Sequence, residues 1–271
     1  MTGPFDDPPP AYNAWQSQAN RAGFGPEPLE GITFIFLDSS ATLPPEWGRA
    51  LRQHVPETIR EQFTVVHGRL NQLSGANSKF DCIVSPANSH GRLDGGFDYH
   101  LSRAISPSDP SLPTKLAQAQ VYKQWKGYQP PGTCTLVPLQ NTPCSSNTHN
   151  CTYIALCPSM RVPSPVAWNR EIVYNCMWSL LVTIDAHNQS IGSGANNTNG
   201  TNGGGGGKIK KVLMTGFGTG TGGISPQKCA QQMALAVRDY VDASTHEEKW
   251  SKMSMQEAFE IAKDCRQTHH I

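Results

Sequence analysis

Between residues 29 and 271, short β-branched apolar runs alternate with longer stretches in which apolar side chains recur every three to four positions. Six runs read as strands, over 32–37, 63–67, 81–85, 133–138, 153–157 and 209–215, each bounded by Gly, Pro, Asn or Asp. Helices are predicted over 45–61, 96–105, 113–126, 166–188, 226–243 and 255–269. Ser225-Pro226 places an N-cap before a proline at the first helical position. In 166–188 the set Ile172, Val173, Cys176, Met177, Leu180, Leu181 and Ile184 forms one apolar face, which is a packing stripe with no chemistry of its own. The alternation is that of an α/β protein, and six strands suit one sheet.

Two tracts interrupt the pattern. Residues 1–28 are rich in Pro, Asn, Gln and Gly and carry too little branched apolar surface to offset the entropy of ordering, so they predict a flexible tail. Residues 189–207 are a Gly/Asn/Ser tract that predicts a flexible insert within a single domain over 29–271. The 25 Gly and 21 Pro agree with long loops around a core shorter than the 271-residue chain.

Charge adds an exclusion. With 22 Lys and Arg against 21 Asp and Glu, no global field favours nucleic acid or an anionic membrane, so an anionic ligand needs a local site. No run of about 18 apolar residues is present to span a bilayer, and the N-terminus lacks the basic and apolar segments of a secretory signal. The expectation is an intracellular, cytoplasmic or nuclear, monomeric protein. Eight scattered cysteines then read as reduced, buried thiols, and the sequons at Asn150, Asn188, Asn196 and Asn199 carry no weight.

Two loops carry candidate chemistry. In the first, the strand ending at Ser85 runs through Pro86-Ala87-Asn88 and reaches a helix by way of Asp94-Gly95-Gly96. The glycines let backbone N–H groups approach a ligand, and the free N–H groups of the helix start favour negative charge. The Asn88 amide offers an acceptor and two donors, which suit a ribose diol. The same residues also fit a purely structural role in which Asn88 and Asp94 cap turns and the glycines make a tight connection.

In the second, the strand ending at Thr215 enters Gly216-Phe217-Gly218-Thr219-Gly220-Thr221-Gly222-Gly223 and leaves into the capped helix at Pro226. This reads as a phosphate loop. It contains the G-x-G-x-x-G spacing, but the chain continues through helix and lacks the following strand with its acidic residue, which argues against a dinucleotide-binding dehydrogenase. A Walker loop is excluded because no Gly-Lys-Ser/Thr ending follows. Two such loops at the carboxyl ends of two strands point to a diphosphate ligand in one crevice.

These residues resemble the macro domain family. Ala87-Asn88-Ser89 match the end of its Asn-Ala-Ala-Asn-Ser motif, with Ser85 in place of the first Asn. Gly95-Gly96 match its glycine run, Phe97-Asp98 stand for its Val-Asp, and Arg103-Ala104 match a small helix motif. Gly216 to Ile224 are similar to its second, diphosphate-wrapping loop, and Arg161-Val162-Pro163, Trp168 and Tyr174 to Trp178 resemble fungal macro-like ADP-ribose 1''-phosphate phosphatases. The likeness covers about residues 31–245.

The resemblance implies a three-layer α/β/α fold with a central mixed six-stranded sheet and a site for ADP-ribose or an ADP-ribosylated substrate. Ser85, Ala87, Gly95, Gly96, Phe97, Thr215, Gly216, Phe217, Gly218, Thr219, Gly220 and Thr221 would line that site. Arg69 stands where many members carry an adenine-binding Asp; it has no acceptor, and would stack on the base or pair with phosphate instead. Asp98 and Asn88 would be catalytic, Asp98 activating water and Asn88 orienting the ribose, in a hydrolase that needs no metal or other cofactor.

A reader module that binds ADP-ribose without turnover remains the alternative, and an RNA-associated module is disfavoured by the charge balance. Asp98 alone could equally be a helix-start carboxylate worth about 0.3–1 kcal/mol. His90 and His100 read as packing or solvent-facing residues. Cys144, His149, Cys151 and Cys157 are too irregularly spaced for a zinc set.

Overall fold

The computed structural model describes residues 29–192 and 207–271. The predicted tail over 1–28 and most of the predicted insert lie outside the described residues. Six strands form one sheet in the order β2-β1-β6-β3-β5-β4: β1 Thr33–Asp38, β2 Phe63–His67, β3 Cys82–Ser85, β4 Thr135–Pro138, β5 Tyr153–Leu156 and β6 Lys211–Met214. All neighbours pair in parallel except β4, which runs antiparallel to β5 at one edge. The sheet is therefore six-stranded, as the pattern predicts, and mixed, as the resemblance implies.

Alternation along the strands builds two cores. Phe34 and Phe36 of β1, with Cys82 and Val84 of β3 and Val212 and Met214 of β6, join one apolar cluster. Ile35 and Leu37, Ile83 and Leu213 join the other. Buried residues of α1 (Leu43–His54), α5 (Ile172–Gly192) and α6 (Pro226–Thr245) cover the first face. Residues of α3 (Gly96–Ile105) and α4 (Leu112–Trp125) cover the second, completing three layers.

Three boundaries differ from the sequence reading by more than two residues. The helix predicted over 45–61 ends at His54; Val55 turns extended ahead of Pro56, as the residue before a proline prefers, and a short α2 (Glu57–Arg60) follows. The helix predicted from 166 begins at Ile172, because Val166 is held instead by its N–H to Gly222 O at 2.8 Å. Its other end runs to Gly192, four residues into the tract expected to be irregular.

The eight cysteines are all buried free thiols. Cys144 and Cys151 lie in one core and Cys157 in the other, so the sheet divides the rejected zinc set. At the C-terminus α7 (Glu247–Ser251) stacks Trp250 on Trp178 of α5 at 5.5 Å, and α8 (Met255–Gln267) with the turn after it is tied to α6 by Arg238 pairing with Asp264 at 2.5 Å and Gln232 Nε2 donating to Thr268 Oγ1 at 2.8 Å. Among the described residues no helix is long and apolar enough to cross a membrane.

Candidate functional site

The strand order creates one place where neighbouring parallel strands send their chains to opposite faces. β3 leads into α3 on one side of the sheet, while β6, paired beside it, leads into α6 on the other. Such a switch point opens a crevice at the carboxyl ends of the strands. The register pairs Cys82 with Val212 and Ile83 with Leu213, which carries Ser85 level with Thr215, the first residues of the two candidate loops.

A third segment, 158–170, ties the loops together. At one end the Ser89 N–H donates to Met160 O at 3.0 Å, and Asn88 bridges Met160. At the other end Val166 bonds Gly222 and packs against the second loop. Arg161 lies over the Tyr128 ring at 5.2 Å, while Val162 and Trp168 are exposed. In the sequence Arg161 and Trp168 stand out only by their resemblance to macro-like proteins; periodicity has no signal for a segment whose role is to join two loops.

In the first loop Asn88 closes a turn. Its Oδ1 accepts from the His90 N–H at 3.1 Å and the Arg92 N–H at 3.4 Å, and its Nδ2 donates to Arg92 O at 2.9 Å. The turn-capping reading thus describes most of its hydrogen-bonding capacity, leaving one N–H uncommitted. Asp94 is exposed and bound by Arg92, whose hydrogen bonds hold its carboxyl below the usual range. Ala87 is buried, Phe97 half-buried against the α3–α4 core, and Gly95 and Gly96 are exposed with open space around them. His90 Nδ1 lies 3.1 Å from Gly127 O, and His100 is exposed.

Asp98 is different. It is 7% exposed in the first turn of α3, and burial pushes its carboxyl up to about 7, opposed by the Ser85 hydroxyl and helped by the Asp94 charge. Its Oδ1 is sealed from solvent without a partner, and so is Ser85 Oγ on the adjoining strand. A carboxyl half-ionised near neutrality is suited to move a proton in either direction.

The second loop is more enclosed. Gly216, Phe217, Gly218 and Gly222 are buried, Thr219 is half-buried, and Gly220, Thr221 and Gly223 are exposed. Ile224 N–H donates to Gly218 O at 3.0 Å and closes the loop on itself. Thr215 Oγ1 donates to Asp38 Oδ2 at 2.8 Å, which brings the carboxyl end of β1 into the same edge. Asp38 escaped the sequence reading, although a lone acid ending the apolar run of β1 marks a strand terminus at this edge. Arg69 is exposed after β2, one strand beyond Asp38, whose carbonyl accepts from Gly68 N–H at 2.9 Å.

A concavity of about 330 Å³ opens beside the first loop, lined by Arg92, Asp94, Tyr99 and Ser102 among others. It does not include Asp98 or any residue of the second loop. Its helix start is occupied, since Asp109 Oδ1 accepts from the Ser111 N–H at 3.0 Å and the Ser111 hydroxyl at 2.6 Å. Among the described residues no cluster of three His, Cys, Asp or Glu is arranged to hold a metal ion.

No protein-family model matches this chain. Among solved structures it is similar to an Oceanobacillus iheyensis macrodomain with ADP, at 17% identity over 67% of this chain and 90% of that one, with a TM-score of 0.40. The same macrodomain with MES bound is 16% identical over 67% and 90%, also at 0.40. A mutant of it with ADPR is 16% identical over 65% and 89%, again at 0.40.

Proposed function

We propose that the chain binds ADP-ribose, or a compound carrying it, across the crevice between β3 and β6 and hydrolyses a bond at the distal ribose. The observation that carries this reading is the meeting of two glycine loops at the switch point with a buried acid titrating near neutrality in the first turn of α3. Two glycine-rich loops at the carboxyl ends of neighbouring strands suit a diphosphate. The loops' resemblance to macro-domain motifs supplies ADP-ribose.

In this scheme the exposed backbone of Gly220 and Thr221 faces the diphosphate, and the open approach at Gly95-Gly96 admits the ribose. Asp98 takes a proton from a water that attacks the scissile bond, and returns it to the leaving group. Water and ADP-ribose 1''-phosphate then yield ADP-ribose and phosphate; water and an ADP-ribosyl linkage yield ADP-ribose and the freed acceptor. Arg69, beyond Asp38, meets base or phosphate at the outer edge. The protein acts as a monomer inside the cell.

A second reading, a module that binds without turnover, draws support from the sealed Oδ1 of Asp98 and the engaged amide of Asn88. Calorimetry with ADP-ribose, followed by assays of phosphate and ADP-ribose release on the wild type and Asp98→Ala, separates the readings. Binding with release that falls at least about 100-fold in Asp98→Ala is expected. Binding without release selects the reader, and no binding at about millimolar ligand overturns both.

A further inference from the structure

The site holds two buried polar atoms that meet no partner at ordinary hydrogen-bond geometry, Ser85 Oγ at the end of β3 and Asp98 Oδ1 in the first turn of α3, and the Ser85 hydroxyl is near enough to the Asp98 carboxyl to lower its proton affinity. Leaving one such group unpaired is costly, and two side by side are best explained as halves of one interaction. Ser85 is fully buried, and its backbone is committed, its carbonyl accepting from the Cys157 N–H at 2.9 Å. Only its hydroxyl is uncommitted, and a hydroxyl can donate to a carboxylate or accept from a carboxylic acid.

We propose that Ser85 is the positioning residue of this site: its hydroxyl partners the Asp98 carboxyl in both protonation states and holds it aimed into the crevice, rather than touching the ligand. The inference rests on Asp98 being the working acid of the proposed function, but its geometry stands in the ligand-free protein. Two groups bear on the charge of Asp98: Ser85 from β3, and Asp94 from the preceding loop, whose own carboxylate Arg92 neutralises. Ser85 lowers the carboxyl's affinity for a proton and Asp94 raises it. Loss of the hydroxyl therefore leaves burial unopposed.

The test is a carbon NMR titration of the Asp98 side-chain carboxyl in the unliganded full chain. Ser85→Ala is expected to raise the midpoint by about one pH unit from its wild-type position near neutrality. Ser85→Thr, which restores a hydroxyl, is expected to bring it back. An unmoved or lowered midpoint in Ser85→Ala overturns the proposal, as does an unmoved midpoint with weakened ADP-ribose binding, which would make Ser85 a ligand contact. If Ser85→Ala does not fold, Ser85→Cys keeps the volume with a poorer donor and is read the same way. The titration needs neither ligand nor turnover, so failure of ADP-ribose to bind would refute the function and leave this result standing.

Discussion

The two glycine loops look alike in sequence and differ in what their glycines do. In the second loop a Cβ on Gly222 would stand 2.5 Å from Gly218 O and 2.9 Å from Gly218 Cα, and one on Gly216 would stand 2.6 Å from Leu43 Cδ2. Those glycines are required by the protein's own packing. In the first loop Gly95 and Gly96 have nothing within 4 Å, although Gly96, at φ +56, still needs a residue free of Cβ strain. A glycine count therefore cannot distinguish backbone that approaches a ligand from backbone that approaches itself. What singles out the first loop is the buried acid beyond it.

The largest effect is expected where that difference is sharpest. In Gly222→Ala the obstructing atoms belong to backbone, which cannot rotate aside as a leucine tip can. The loop would have to open, giving up Ile224 N–H to Gly218 O and Val166 N–H to Gly222 O. Overpacking of about 1–3 kcal/mol and two hydrogen bonds of about 1 kcal/mol each give an expected loss of roughly 3–5 kcal/mol. A urea midpoint measures it, and a loss below about 1 kcal/mol would show that the second loop is slack rather than architectural.

The first loop predicts the opposite sign. The folded pKa of Asp98, about 7, lies above the ordinary carboxylate value, so the native state binds its proton more tightly than the unfolded chain does. Its stabilising contribution is complete below about pH 4 and is lost as pH rises through 7. Asp98→Asn cannot ionise. The variant should match the wild type near pH 4 and exceed it by about 2–4 kcal/mol at pH 8. Denaturant curves at both pH values decide it; a difference that does not change with pH would mean that Asp98 is not desolvated, and its place in the chemistry would go with it.

Much of the fold was legible because the strands announce themselves by burial: β2 and α3 were read to the residue, and the remaining strand cores lay within one to two residues of their sequence bounds. The misplacements have local causes, Pro56 ending α1 and Val166 diverted to the second loop. The site was half legible. The two loops follow from strand, glycine and helix in succession, and Asp98 from the resemblance of Phe97-Asp98 to the macro-domain motif. Asp38 and the 158–170 segment do not, because they reach the site through pairings of strands and loops more than 100 and more than 50 residues apart, as between Asp38 and Thr215 or Val166 and Gly222. The Asn88 amide shows a further limit, since its composition suits a ribose and a turn equally and only the geometry says which bonds it has already made.

The smallest expected effect on stability is the most informative about ligand binding. Of the two exposed glycines of the second loop, Gly220 and Gly223, a Cβ on either meets nothing within 4 Å, but only Gly220 has a backbone that does not require positive φ. Gly220→Ala should leave stability within about 0.5 kcal/mol of the wild type, or raise it slightly by restricting the unfolded chain. A diphosphate resting on the loop backbone would meet the new methyl group at contact distance. ADP-ribose affinity should then fall by at least about tenfold, or 1.4 kcal/mol, while the urea midpoint stays put. Unchanged affinity together with unchanged stability would take Gly220 out of the ligand's reach, and would move the ligand's phosphates to the open backbone at Gly95 and Gly96, beside Asp98.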